Sequence, residues 1–330
     1  MALAVNRSVD SALELANQLA PQIATLPRLS RVVEAFLENA GRDTARAEDF
    51  AAALSLDPTL EGWVLRQTCS GYFNLASPPR TVSDACVVLG LEPLSRLVYA
   101  ACTQDLLEYR MTCYRYPGHG FWFHGLAVGV AARKLAIRLG PQSPLGAEEA
   151  FVAGLLHDVG KILLDPLLPR DGGPRHVTIQ EEILNGGRDH AVISAAVTAA
   201  WSMPFSVIEA VAQHHEQIPS AGGRLIAAAD ALIRHWGVGI WTYAKLDLDP
   251  PLTELGSLIS DPDVLENWCA ELPPILAGLE EMLLSMNRGT LPDLPAGSLA
   301  TKTTSTKQVK RRVRTERPPR ESIRRRKKKR

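Results

Sequence analysis

The sequence predicts an all-α protein, and three observations carry that prediction. Apolar residues recur three and four positions apart along most of the 330 residues, the spacing that gives a helix one buried face. Alternation with a period of two, which marks a half-buried strand, is almost absent. Turn-forming residues break the pattern every ten to twenty positions, so the helices are short and packed on one another.

Residues 1–25 read as an N-terminal helical extension. Leu29, Val32, Val33, Phe36 and Leu37 follow Pro27, which suits a helix start. Phe50–Leu56 forms the next helix and ends near Asp57-Pro58. Leu60–Thr68 and Ser83–Leu89 follow, the latter expected to be capped by Ser83 and closed by Gly90. A longer amphipathic stretch covers Leu94–Leu107. Tyr109–Gly120, rich in Tyr, Pro and Gly, is a connector. Phe121–Leu139 ends at Gly140-Pro141, and Glu148–Leu156 runs into His157-Asp158. A polar loop with Gly172, Gly173 and Pro174 is expected next. Helices then cover His190–Trp201, Phe205–His214, Gly223–Trp236 and, beyond a Pro- and Asp-rich link, Val264–Met286.

The apolar fraction of 46% and charged fraction of 22% are those of a globular chain with a sizeable core. The net charge of zero conceals a division. Residues 302–330 hold 15 Lys or Arg and 2 Asp or Glu, an excess of 13 positive charges that the rest of the chain cancels. An acidic body thus carries a basic tail too poor in apolar residues to fold alone. Lys310, Arg311, Arg312, Arg314, Arg324, Arg325, Arg326, Lys327, Lys328, Lys329 and Arg330 form its candidate polyanion-binding set, for nucleic acid or an anionic membrane surface. Without interleaved aromatic residues, such a tail reads charge and not base sequence. A solvated tail, or one resting on the acidic body, is the alternative.

Five cysteines without a CxxC pair argue against a disulfide framework or a cysteine zinc site, and favour buried free thiols. Asp10 and Glu14 stand where a signal peptide would need its apolar stretch. The longest apolar stretch, around 191–212, is broken by Pro204 and Glu209, so no membrane span is expected and a cytoplasmic protein is.

The chemistry-bearing residues are ordered along successive predicted helices. His124 lies near the start of one, His157 and Asp158 close another, and His190 opens a third. His214 and His215 end a fourth, and Asp230 sits within the apolar run LIAAADALI of a fifth. A carboxylate in an apolar run is costly unless it is paired or bound to a cation. Imidazole and carboxylate together suit Zn, Fe or Mn. His157 and Asp158 can both turn inward only where their helix ends, which Val159-Gly160 permits. The seven residues form a candidate divalent-metal set. Asp158 is the candidate catalytic carboxylate, and Lys161, one turn on, a candidate phosphate contact or a solvated lysine.

FWFHGLAVGVAARKLA, AGLLHDVGKILL, RDHAVISAAV, AVAQHHE and IAAADAL resemble the HD superfamily of metal-dependent phosphohydrolases. LPRLSRVVEAFLEN, DFAAALSLDPTLEGWVLRQTCSGYFN and TVSDACVVLGLEPLSRLVYAACT look like the narrower HDOD family of output and signalling domains. The resemblance implies an HDOD domain over 26–286, with an N-terminal helical lobe at 26–115, an HD-like lobe at 116–240 and a C-terminal helical extension at 241–286. A disordered basic tail occupies 287–330. The Gly-Tyr-Pro element of the related cyclic-dinucleotide phosphodiesterases is missing after His157-Asp158, so cleavage of cyclic di-GMP is not implied. Many HDOD proteins have lost part of the metal set, and this chain keeps it. Three readings follow: a signalling module acting through contacts with regulatory proteins, a metal-dependent phosphohydrolase on a nucleotide-like substrate, and a nucleic-acid-associated regulator working through the tail.

Overall fold

The computed structural model describes residues 2–26, 31–40, 46–68, 79–107, 109–116, 120–170, 173–239, 255–256 and 259–286. The basic tail and all its candidate polyanion-binding residues lie outside the described residues. Among the described residues there is no strand, only an isolated bridge between Tyr114 and Arg175. No helix among them is long and apolar enough to cross a membrane.

The chain begins with α1 (Ala2–Gln18) and the short α2 (Ala20–Ile23). Next come α3 (Arg31–Ala40), α4 (Ala47–Leu54), α5 (Pro58–Thr68), α6 (Val82–Leu89) and α7 (Leu91–Leu107). Asp57 accepts from Leu60 N at 3.0 Å, so Asp57-Pro58 both ends one helix and caps the next. The cap of α6 is Thr81 and not Ser83. Thr81 Oγ1 accepts from Asp84 N at 3.1 Å, and the Asp84 carboxylate accepts from Thr81 N at 3.0 Å. This reciprocal box satisfies two free helix donors, whereas Ser83 already lies inside the first turn. Gly90 closes the helix at φ +82°, as expected.

The following helices are arranged on α8 (Gly120–Leu139) and α9 (Ala147–Leu156). These two pack closely because Gly129 and Gly154 face one another. A Cβ on Gly154 would stand 2.8 Å from Gly129 Cα. Around this pair lie α10 (Lys161–Leu164), α11 (Ile179–Gly186), α12 (His190–Ala200), α13 (Phe205–Ala212) and α14 (Ala221–His235). Helix α1 rests on α12 and α13, and the final helix α15 (Pro262–Met286) rests on α8. There Trp268, fully buried, donates its indole N–H to Ala131 O at 2.8 Å. Tyr99 ties α7 to α9, stacking on Phe151 with centroids 5.1 Å apart.

Helix α11 lies inside the stretch read as a polar loop. Thr178 and Glu181 form its capping box, and Gly187 at φ +75° ends it. The connector is pinned by the buried Asp165, whose carboxylate accepts from Thr112 N, Thr112 Oγ1 and Cys113 N at 2.7–3.0 Å. Cys86, Cys113 and Cys269 are buried free thiols, and Cys69 lies outside the described residues. Burial pushes the Cys86 thiol up to about 11 and that of Cys269 to about 12, which keeps both in the unreactive form.

Candidate metal centre

Five segments deliver the site. His124 sits in the first turns of α8, where its Nδ1 lies 3.2 Å from Val238 O. His157 and Asp158 occupy the turn after α9. Gly160 has an ordinary helical φ of −61°, so left-handed freedom is not its use. It allows close approach instead: a Cβ would meet His190 O at 2.5 Å and Ser194 N at 2.7 Å. Its own N–H donates to Ser194 Oγ at 2.8 Å, which locks the turn onto α12. His190 opens α12 behind the cap Asp189. His214 and His215 follow α13, and Asp230 projects from the middle of α14.

The structure brings all seven residues together. His124 Nε2 lies 3.2 Å from Asp230 Oδ1, and His157 Nε2 lies 3.6 Å from the same oxygen. Asp158 Oδ1 is 3.5 Å from His157 Nε2 and 3.1 Å from His190 Nε2. His190 Nε2 in turn lies 3.0 Å from His215 Nε2. Donor atoms of His124, His157 and Asp158 fall within 4.8 Å of one another, as do those of His190, His214 and His215. Around a tetrahedral ion with bonds of about 2.0–2.1 Å, ligand atoms stand roughly 3.3 Å apart, so the spacing suits coordination.

The hydrogen bonds tell which atoms are left over. Nδ1 of His157 is 2.7 Å from Gly154 O, and Nδ1 of His214 is 2.7 Å from Val211 O. A carbonyl oxygen only accepts, so each Nδ1, like that of His124, carries the proton and leaves Nε2 as a lone pair. Nε2 of His124, His157 and His214, with Oδ1 of Asp158 and of Asp230, are buried and have no hydrogen-bond partner. A buried polar atom without a partner costs about 1–3 kcal/mol. Five such atoms in one cluster are an arrangement that a cation would satisfy.

Electrostatics divides the rings. Burial and Lys161 lower the pKa of His190, but the Asp158 and Glu182 carboxylates outweigh them and raise it. Burial lowers the pKa of His124 and holds that of His214 well below the usual imidazole value. Burial and then His190 push His215 down to about 3. These last three rings stay neutral at physiological pH, the form that binds metal. Burial would raise the Asp158 carboxyl, but positive charge beside it, including the Lys161 ammonium 2.5 Å from Oδ2, outweighs burial and holds it well below the carboxylate range. Asp230 is held down in the same way by Arg234, whose Nε is 2.9 Å away.

Lys161 sits with Nζ 2.5 Å from Asp158 Oδ2 and 3.2 Å from the Tyr116 hydroxyl. The ammonium therefore neutralises Asp158 in this structure. Lys161 and His215 are the partly exposed members, so the centre faces solvent on their side. Four contacting residues were not singled out by the sequence, the first being Arg234, which pairs with Asp230. Tyr116 donates to Asp158 Oδ2 at 2.9 Å. Glu182 accepts from His190 N at 2.9 Å and lies 2.7 Å from His190 Nδ1. Tyr114 donates to Glu182 at 3.0 Å. The Thr178-x-x-Glu181 box is the one local signal that marks the helix carrying Glu182.

Comparison with known proteins follows the same lines. An uncharacterized protein of Treponema pallidum (strain Nichols) is 24% identical over 215 residues, covering 61% of this chain. The matched region is 40% of that relative's length. An HDOD domain protein of Geobacter sulfurreducens superposes with a TM-score of 0.59 at 21% identity, covering 83% of this chain and 99% of the other. A candidate phosphohydrolase of Shewanella amazonensis SB2B gives 0.55 at 22% identity, covering 82% and 97%. The HDOD domain pattern matches residues 26–217, more than half of the sequence, and the chain belongs to the HDOD domain family.

Proposed function

We propose that this HDOD protein is a signalling component built around a divalent-metal centre, with phosphoester hydrolysis as the chemistry of that centre. The observation that carries the reading is the set of five buried, partnerless lone-pair atoms on His124, His157, His214, Asp158 and Asp230. His124, His157, Asp158 and Asp230 would hold one ion, and His190, His214 and His215 would be available for a second. Fe, Mn and Zn fit such a donor set. A divalent ion there supplies Lewis acidity towards a phosphoryl oxygen and acidifies water. The chain's own residues supply the rest. Asp158 lies between the two histidine groups and is the carboxylate both can share. Lys161, partly exposed beside Asp158, would contact a substrate phosphate from the solvent side. The structural likeness to a candidate phosphohydrolase is consistent with this chemistry.

The test is elemental analysis of the full chain purified without added metal, then assay on a generic phosphodiester with Mn, Fe(II) or Zn supplied. Stoichiometric metal with metal-dependent turnover is the expected result. Protein that takes up no metal sinks the reading. Metal without turnover leaves a regulatory module acting through protein contacts, the reading favoured by membership of the HDOD family and by the missing Gly-Tyr-Pro element.

A separate observation, the 13 excess positive charges of residues 302–330, favours a polyanion-binding role for the tail. Full-length protein is expected to bind duplex DNA, RNA or anionic vesicles more tightly than a protein ending at Ala300. For duplex DNA, log affinity should fall against log salt with a slope of about −0.9 per phosphate engaged. Equal binding by the two proteins at low salt removes the role.

A further inference from the structure

Glu182 is 1% exposed, although it stands on α11 between the half-buried Glu181 and the exposed Ile183. A buried carboxylate must be compensated. Its partners lead in one direction. Oε1 accepts from the Tyr114 hydroxyl at 3.0 Å. Oε2 accepts from His190 N at 2.9 Å and lies 2.7 Å from His190 Nδ1. The proton between carboxylate and ring is thus on Nδ1, which leaves Nε2 as the ring atom that an ion would take. That atom is 3.1 Å from Asp158 Oδ1 and 3.0 Å from His215 Nε2. The other histidines whose Nδ1 contacts are described lean on backbone carbonyls: His124 on Val238, His157 on Gly154 and His214 on Val211. His190 leans on a full negative charge. Tyr114 is itself held in place, because the neighbouring Cys113 O accepts from Arg175 N at 2.8 Å and Cys113 N donates to Asp165.

We propose that Glu182, steadied by Tyr114, is a positioning residue that fixes the His190 ring and strengthens its Nε2 as a donor to a divalent ion shared with His214 and His215. A carboxylate on the far nitrogen of a metal-bound imidazole sets tautomer and orientation and raises ligand basicity. The connector thereby becomes part of the metal centre, through Tyr114. The inference rests on the metal-centre reading above.

The experiment is titration of metal-depleted full chain with Co(II), followed by visible absorption and calorimetry, with the thermal midpoint of the metal-free protein measured alongside. Glu182→Gln keeps the size and an acceptor oxygen but removes the charge. It should weaken the His190-dependent binding step about ten- to hundredfold and leave the metal-free midpoint near that of wild type. Tyr114→Phe should move the same step in the same direction by less, and Glu182→Asp should recover part of the loss. His190→Ala identifies the step. Wild-type Co(II) affinity in both Glu182→Gln and Tyr114→Phe, with metal binding intact in wild type, makes Glu182 a structural cap on α12 and overturns the inference. A lowered metal-free midpoint with unchanged affinity overturns it also. Wild-type protein that binds no Co(II) overturns the metal reading, and this inference with it.

Discussion

Asp158→Asn protein is expected to lose metal at both halves of the centre, with affinity reduced by at least about a hundredfold, since a ligand and its negative charge are removed together. The reason lies in where the carboxylate sits. Its Oδ1 stands 3.5 Å from His157 Nε2 and 3.1 Å from His190 Nε2, so it is the one carboxylate in contact with both histidine groups. Asp230 touches only the His124 and His157 side among these ligands, and Asp230→Asn should spare the other half. The loss at Asp158 also leaves Lys161 without the carboxylate 2.5 Å away, adding a nearby positive charge that repels a cation. Elemental analysis after dialysis against limiting Zn or Mn measures the outcome. A full metal complement in Asp158→Asn would show that the carboxylate is not a ligand.

Gly154→Val should cost stability at the upper end of the range for overpacked cores, about 1–3 kcal/mol, and weaken the metal centre at the same time. Even the first added carbon would lie 2.8 Å from Gly129 Cα, 2.9 Å from Gly129 N and 2.9 Å from Val128 C. These are backbone atoms, so no side chain can rotate away, and α8 and α9 must separate. Better helix propensity than glycine returns well under about 1 kcal/mol and does not offset this. The helices run antiparallel, and His124 and His157 flank the contact with rings 5.5 Å apart. Separation at Gly154 therefore spreads two of the candidate ligands. Denaturant unfolding of the metal-free protein reports the first effect and metal titration the second. Gly256→Ala, where an added carbon meets nothing within 4 Å, is the control. Equal stability of Gly154→Val and wild type would mean that the close approach carries no weight.

Much of the helical order was legible because its signals are local. Periodicity located α3 to α9 and α12 to α15, and Asp57-Pro58 and Gly90 marked boundaries that the structure keeps. Ser83 misled as a cap because Thr81 and Asp84 together form a reciprocal box that one residue cannot match. Helix α11 was missed because its short amphipathic run follows a Gly- and Pro-rich stretch, although Thr178 and Glu181 carried the signature of its start.

By itself, the sequence determined the helical class, the division of charge between body and tail, and the order of the seven histidine and aspartate residues. Each is a matter of residue type and spacing along the chain. Only the tertiary structure decided what supports those residues. Tyr116 reaches Asp158 across 42 positions, and Tyr114 reaches Glu182 across 68. No local pattern encodes such pairs. The same holds for Gly129 against Gly154 and for Gly160 against α12, where the absence of a side chain matters through what another segment brings close. The direction of the His124 proton was likewise decided by the fold, because Val238 O comes from 114 positions away, whereas His157 and His214 lean on carbonyls three residues back, Gly154 and Val211, that their own turns supply. Ligand identity is a property of the residue, but ligand orientation belongs to the packing around it.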